Sequence, residues 1–296
     1  MVMNNRSEIL FLYDVKWANP NGDPLDENKP RIDEETEKCI VSDVRLKRTI
    51  RDEWQSWGEE IWVSGETVDP NKRREELQIE KKEDALKCLD VRLFGAVIPI
   101  SKQGDTSYTG PVQFRPGTSL HAVKVVFQQG TAAFTSKANA QQRSFREEYL
   151  LPYALICFYG VANENAAKIT NATEEDVQKL LKAMWLGTKN LITRSKMEHN
   201  PRLLVRIVYK KDMNYHIGEL DSYIKLQTNL DEKTIRDISE VTLEIGALLE
   251  KLNLNKEKIE KIEYKQDTRL KLFKDGVETE LSREFAQMNI QAVILP

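Results

Sequence analysis

The first strongly patterned stretch is Ile9-Leu10-Phe11-Leu12-Tyr13, an unbroken apolar run. It is too short for a helix and has no polar face, which predicts a central strand covered on both sides. Asp14 and Lys16 mark its exit, and the chain then enters Asn19-Pro20-Asn21-Gly22-Asp23-Pro24. Proline lacks an N–H and Asx side chains bond their own backbone, so this segment reads as a rigid turn with exposed amides. Ser42 follows as a predicted N-cap, with Asp43 in the first turn, where an acid suits the helix dipole. Along that helix Leu46, Ile50, Trp54 and Trp57 recur at helical spacing and make one apolar stripe. At about 3.6 residues per turn, Arg45 and Arg48 fall opposite the stripe and Lys47 and Arg51 flank it. A polar loop beside a helix that carries Ser42 and several arginines suits a polyanion, with nucleic acid the leading candidate.

Residues 66–90 interleave Lys72, Arg73, Arg74, Lys81, Lys82 and Lys87 with Glu75, Glu76, Glu80, Glu83 and Asp84. Mixed signs at helical spacing predict a solvated face, with an arm that meets RNA or a neighbouring subunit as the functional alternative. Arg92-Leu93-Phe94-Gly95-Ala96 ends at a glycine turn. Strands are expected over 112–114 and 120–127. Gln113, Arg115 and Ser119 lie there beside glycines, where a backbone can approach a ligand, unless the segment is an ordinary hairpin. Residues 131–148, with Lys137, Arg143 and Arg146, lack periodicity and read as a mobile loop or web. The stretch 153–161 reads as another strand that is apolar on both faces.

Thr173 caps a predicted helix with Glu174, Glu175 and Asp176 in its first turn and Val177, Leu180, Leu181, Met184 and Trp185 as its stripe. Gly187 is its expected end. Over 191–211 the basic residues Arg194, Lys196, Arg202, Arg206, Lys210 and Lys211 face a single acid, Glu198. Arg194 and Lys196 sit in a loop at the entry of a strand over 203–209, a density of one sign that favours phosphate contact. The alternative is a solvated edge strand, in which Arg206, inside the strand, simply points to solvent. Residues 234–252 carry Ile235, Ile238, Val241, Ile245, Leu248 and Leu252 at the spacing of an amphipathic helix. A short strand over 269–273, a turn at Asp275-Gly276 and an apolar tail over 292–295 complete the chain.

The order strand, helix, strand, strand, helix, strand through Tyr209 predicts an α+β fold with a ferredoxin-like palm. Its connections are too long for turns and must form insertions. The expected organisation is one domain over 1–296, with inserted segments near 58–110 and 128–150 and a C-terminal extension over 221–296.

Composition narrows the chemistry. With 296 residues and a net charge of −3, the chain is a globular protein with no global attraction for polyanions, so any such attraction must be local. Near-neutrality also lets copies pack without strong repulsion. Cys39, Cys88 and Cys157 are far apart, as are His121, His199 and His216, which argues against disulfides and against a zinc site. No cofactor is implied. Residues 1–8 lack a signal-peptide core, and no apolar run approaches the ~20 residues of a membrane span, so a cytoplasmic location is expected.

The segments F-L-Y-D-V-K, N-P-N-G-D-P and S-D-V-R-L-K-R-T-I-R-D together resemble the backbone subunit of type I-B CRISPR Cascade complexes, in the RAMP superfamily. D-V-R-L-F-G-A, T-G-P-V-Q-F and R-S-K-M-E extend the resemblance. It implies a palm resembling an RNA-recognition motif (RRM-like), elaborated with fingers, a thumb or a web. It also implies an antiviral role in which copies polymerise as a helical filament along a CRISPR RNA and leave its bases to pair with target DNA, beside other Cascade subunits. Carried onto this sequence, Asn19 and Asn21 lie in the loop beside the RNA, and Ser42, Arg45, Lys47 and Arg48 lie on the phosphate-binding helix. Gln113, Arg115 and Ser119 fall in the glycine-flanked segment, and Arg194 and Lys196 in the second basic loop. The strands lack the aromatic signature of a typical RNA-recognition motif, so stacking on the sheet is not implied. No catalytic residue is expected. The competing reading is a nuclease of the type III kind, with Asp14, Asp23 and Asp26 near the cutting loop and a divalent metal between them. Asp23 can equally serve only to shape the turn. A free-standing RNA-binding regulator is a third reading.

Overall fold

Strand β1 (Ser7–Ala18) is the centre of the molecule. A computed structural model describes residues 1–65, 69–100, 104–131 and 145–296 of the chain. Ile9, Phe11, Tyr13 and Val15 are buried in one core, and Leu10 and Leu12 in a second on the other face. The apolar run is thus covered on both sides, as its pattern requires. The strand does not end at Asp14. That carboxylate stays in the ladder because the Arg202 guanidinium meets it at 2.8 Å, so the charge is neutralised in place.

Eight further strands complete the sheet among the described residues: β2 (Lys38–Val41), β3 (Val112–Phe114), β4 (Gly117–Ala122), β5 (Val126–Thr131), β6 (Phe145–Ala162), β7 (His199–Tyr209), β8 (Ile259–Gln266) and β9 (Ala292–Ile294). The order is β9-β8-β7-β1-β6-β4-β2, with β3 and β5 also on β6. Leu10 pairs with Tyr159 of β6 on one side and Val205 of β7 on the other, both antiparallel. With helices α1 (Asp43–Ser56) and α2 (Glu174–Lys189), the chain order is β1-α1-β3/β4-β6-α2-β7. The spatial order β7-β1-β6-β4 makes this the ferredoxin-like βαββαβ arrangement.

The segment around Gln113 is not a hairpin. Phe114 pairs with Gly160 and Ser119 with Ile156, so β3 and β4 follow one another along the same edge of β6. They are one strand interrupted at Arg115-Pro116, where the proline has no N–H to give the ladder. The strand expected over 120–127 is likewise two, β4 and β5. Residues 145–148, expected as loop, belong to the start of β6, which pairs with β5 from Phe145↔Thr131 to Leu150↔Val126. Lys137 and Arg143 lie outside the described residues, as does the side chain of Arg146.

Both principal helices start where their caps predict. The Ser42 hydroxyl accepts from the Arg45 N–H, and Thr173 forms a capping box with Asp176. Leu46, Ile50, Trp54, Val177, Leu180, Leu181 and Met184 are buried in the core between helices and sheet. Gly187 does not end α2, which runs to Lys189. A Cβ there would lie 3.0 Å from Glu53 Cβ and 3.0 Å from the Thr49 carbonyl oxygen, so the glycine permits the close approach of α1.

The charged segment after α1 is partly solvated and partly built into a small core of its own. Trp62, Leu77, Ile79, Ala85, Cys88 and Ile98 are buried together there. Asp69 caps a short helix (Pro70–Glu76), and Arg51 of α1 ties this lobe down through Asp90 at 2.9 Å. The C-terminal part of the chain covers the second face of the sheet. Its apolar residues Ile235, Ile238, Val241, Ile245, Leu248 and Leu252 are all buried, but not on one helix. Two 3₁₀ turns (Glu232–Thr234, Ile238–Glu240) and a strand (Thr242–Glu244) precede α3 (Gly246–Leu254). Asp237 draws the chain out of the helix by accepting from the Ser239 N–H at 3.0 Å, and the strand finds partners at Lys225–Gln227 and Leu272–Lys274. The apolar tail adds β9 parallel to β8. No helix among the described residues is long and apolar enough to cross a membrane.

Candidate nucleic-acid interface

Where β1 ends, three segments are locked together. The Asn21 side-chain oxygen accepts from the Ser42 N–H (2.8 Å) and the Ser42 hydroxyl (2.9 Å), which fastens the turn to the start of α1. Asn19 donates its side-chain N–H to the Asn28 carbonyl at 2.6 Å and its backbone N–H to the Ser195 carbonyl at 2.7 Å. The Lys196 ammonium donates to the Asn19 carbonyl at 2.8 Å. The turn, the helix N-terminus and the second basic loop are therefore one surface, although they are far apart in sequence.

The charges on this surface are not balanced. Arg45 bonds Thr49 Oγ1 at 2.9 Å, and its buried Nε has no partner. It does not stand clear of the fold as the helical wheel suggests, because the end of α2 covers that side of α1: Thr188, Leu191 and His199 line a small cavity with Arg45, Tyr13 and Pro20. Among the described residues neither Arg45 nor Lys196 has a carboxylate within ion-pair distance. Burial, with the Arg45 charge adding to it, pushes the Lys196 ammonium down to about 8. Burial pushes His199 down to about 3, so its ring, stacked on Tyr13 at 5.8 Å, is neutral. Neither of its buried ring nitrogens is hydrogen-bonded.

The other cations read from the sequence are compensated. Lys47 pairs with Asp43 at 3.0 Å and reaches Gln113 Oε1 at 3.3 Å, which brings those two together on the flank of α1. Arg48 pairs with Asp52 (2.6 Å), and Arg194 with Glu148 (2.8 Å). Arg115 lies apart from the cluster. It bonds Asp221 at 2.5 Å, over the Tyr159 ring. Ser119 is buried: its hydroxyl accepts from the Cys39 N–H (2.9 Å) and donates to the His121 carbonyl (2.7 Å), joining β2 to β4. Arg206 does not face solvent. It is fully buried beneath the first turn of α2, bonded to Ser7, Glu174 and Glu263. Arg202 is buried too, between Asp14 and Asp267.

The acids of the nuclease reading are dispersed. Asp14 also accepts from the Tyr153 hydroxyl at 3.1 Å. Asp23 pairs with Arg31 at 2.9 Å and accepts from the Leu25 N–H, and Asp26 pairs with Lys29. Among the described residues no three His, Cys, Asp or Glu side chains are placed to hold a metal ion. Sequence reasoning passed over His199, which looked isolated, and Trp17, an aromatic just past the apolar run. Their neighbours come from other segments.

Over residues 5–246 the chain matches the family described as CRISPR-associated protein Cas7. The chain belongs to the Cas7 family. A CRISPR-associated protein Cas7 of Haloferax volcanii is 32% identical to it over 92% of this chain and 90% of its own length. A chain from a solved CRISPR RNA-guided surveillance complex in a pre-nicking state superposes with a TM-score of 0.58 at 13% identity, covering 96% of this Cas7-family chain and 99% of its own. A second chain, from a CRISPR RNA-guided surveillance complex, gives 0.55 at 16% identity over 96% and 98%. These superpositions establish the shared fold. The family expected from F-L-Y-D-V-K and N-P-N-G-D-P is the one found.

Proposed function

We propose that this chain is the RNA-holding backbone subunit of a type I-B CRISPR RNA-guided complex. In this reading copies line up along one guide RNA in the cytoplasm, beside other subunits, and leave its bases free to pair with target DNA. The observation that carries the reading is the pair of uncompensated cations, Arg45 and Lys196, set against the Asn19–Asn21 turn and the α1 N-cap. A phosphate would supply the counter-charge these two lack, and the asparagine and serine groups beside them can bond phosphate or ribose oxygens without reading sequence. Sequence is then left to base pairing. The Cas7 relative and the likeness to chains of RNA-guided complexes support the same assignment.

Replacing Arg45 and Lys196 together with Ala tests it. Each lost phosphate contact lowers the slope of log K against log salt by about 0.7 on single strands, so the pair is expected to lower it by ~1.4 for every RNA sequence alike. A circular-dichroism melt checks that the variant is folded. An unchanged slope would refute the assignment.

In this proposal the subunit does not cut. Asp14 is occupied by Arg202 and Asp23 shapes its turn. Asp23→Asn is expected to preserve target binding, with neither form cleaving RNA in magnesium or manganese. Manganese-dependent cleavage by the wild type that the substitution abolishes would favour the nuclease instead. Bound RNA of one discrete length, rather than a mixture, separates a guide subunit from a free-standing regulator.

A further inference from the structure

Trp17 is held in an unfavourable backbone conformation by its neighbours, while its own side chain stays half exposed. It lies in β1 with φ +50°, in the left-handed region that a bulky side chain adopts only under constraint. The ladder to β6 runs Lys16↔Tyr153 and then Ala18↔Leu151, so Trp17 has no paired residue, and Pro152 across from it has no N–H to offer. The constraint comes from both sides. The Lys16 N–H bonds the Glu198 carbonyl at 3.2 Å, and the Asn19 N–H bonds Ser195 at 2.7 Å. Glu198, facing it, has a positive φ of its own (61°). The result is an indole 48% exposed that makes no hydrogen bond, ring contact or cation contact among the described residues. It sits between Lys16 and Asn19, on the segment clamped to the loop that carries Lys196 and the exposed Met197.

We propose that Trp17 is a stacking platform for one base of a bound single-stranded RNA, at the end of the sheet and not on its face. The inference rests on the RNA-holding reading and adds a base contact to it. Lys16 beside Trp17 is paired with Asp237 at 3.0 Å, but the Lys196 ammonium, which bonds the Asn19 carbonyl two residues on, has no acidic partner among the described residues. An exposed aromatic on a segment that holds such a cation fits a chain that offers alternating π-faces and phosphates. Every base has such a face, so the contact holds RNA without selecting sequence. An apolar protein surface would satisfy the indole but not the uncompensated Lys196 held by the same segment.

The test compares Trp17→Gly and Trp17→Phe with the wild type on two oligoribonucleotides of equal length, one ordinary and one abasic. Glycine suits the positive φ, so that variant keeps the backbone and is expected to melt as the wild type does. On ordinary RNA, Trp17→Gly is expected to bind roughly 5- to 150-fold more weakly, the equivalent of ~1–3 kcal/mol for one stacked base, with the salt slope unchanged. Trp17→Phe should retain most of the affinity. On abasic RNA all three should bind alike. Equal binding of Trp17→Gly and wild type to ordinary RNA would overturn the inference while leaving the RNA-holding reading intact. So would a loss of the same size on abasic RNA, or a defect confined to subunit assembly, which would assign the indole to a neighbouring protomer. Wild-type protein that binds neither RNA would overturn both.

Discussion

Arg206→Met is expected to destabilise the protein by about 3–5 kcal/mol, the cost of breaking a buried ion pair from one side. Arg206 has no exposed surface, and its guanidinium bonds Ser7 Oγ at 2.9 Å and Glu263 at 2.9 Å, with Glu174 closing the cluster. Without it, Glu263 remains buried with only Lys261 (2.7 Å) and Gln178 (3.1 Å) to solvate it. A second replacement, Glu263→Met, removes the stranded charge, so the double variant should recover much of the loss. Urea denaturation of the two variants measures this through the midpoint at constant m. A single variant within about 1 kcal/mol of the wild type would mean that water enters the cluster and the buried network contributes little.

RNA binding is expected to weaken as pH rises through about 8, the value at which half-buried Lys196 loses its proton in the free protein. Burial, then the Arg45 charge, disfavours the ammonium there. An arriving phosphate restores it, so above that pH binding must take up a proton and the affinity falls by up to ~10-fold per pH unit. Folding responds with the opposite sign. Between about 8 and the unfolded-chain lysine value near ~10.4, the unfolded state binds the extra proton, so Lys196 favours the folded form more as pH rises. Lys196→Arg keeps its charge throughout and should flatten the binding profile. Titrations at constant salt from pH 7 to ~10 check both proteins. A wild-type curve parallel to that of the arginine variant would remove Lys196 from the phosphate contact.

Local signals were legible wherever neighbours in sequence are neighbours in space. Ser42 and Thr173 announced their helices because a cap bonds residues three positions away. Ile9 to Tyr13 announced a central strand because its burial shows in its own composition. The failures share the opposite cause. Arg206 looked like a solvated edge cation because its partners Glu174 and Glu263 reach it from α2 and β8, respectively. Residues 234–252 carried helical spacing, yet Asp237 and two partner strands made turns and an edge of the same apolar set. At the candidate interface the residue types were readable, but their balance was not. Whether a cation is spent on a carboxylate depends on side chains from other elements, as Arg194, which meets Glu148 of β6, and Lys196, which meets no acid among the described residues, illustrate.

The central position of β1 also bears on how the chain is made. Its two partners end at Ala162 and Tyr209, so the amino-terminal strand waits for about 190 residues of synthesis before its second edge is closed. At ~5–20 residues per second that is roughly 10–40 s on the ribosome, with Ile9 to Tyr13 lacking their final cover. Pairings this distant in sequence also form slowly after release. The interval makes β1 a natural chaperone target and the first segment to aggregate when the protein is overproduced.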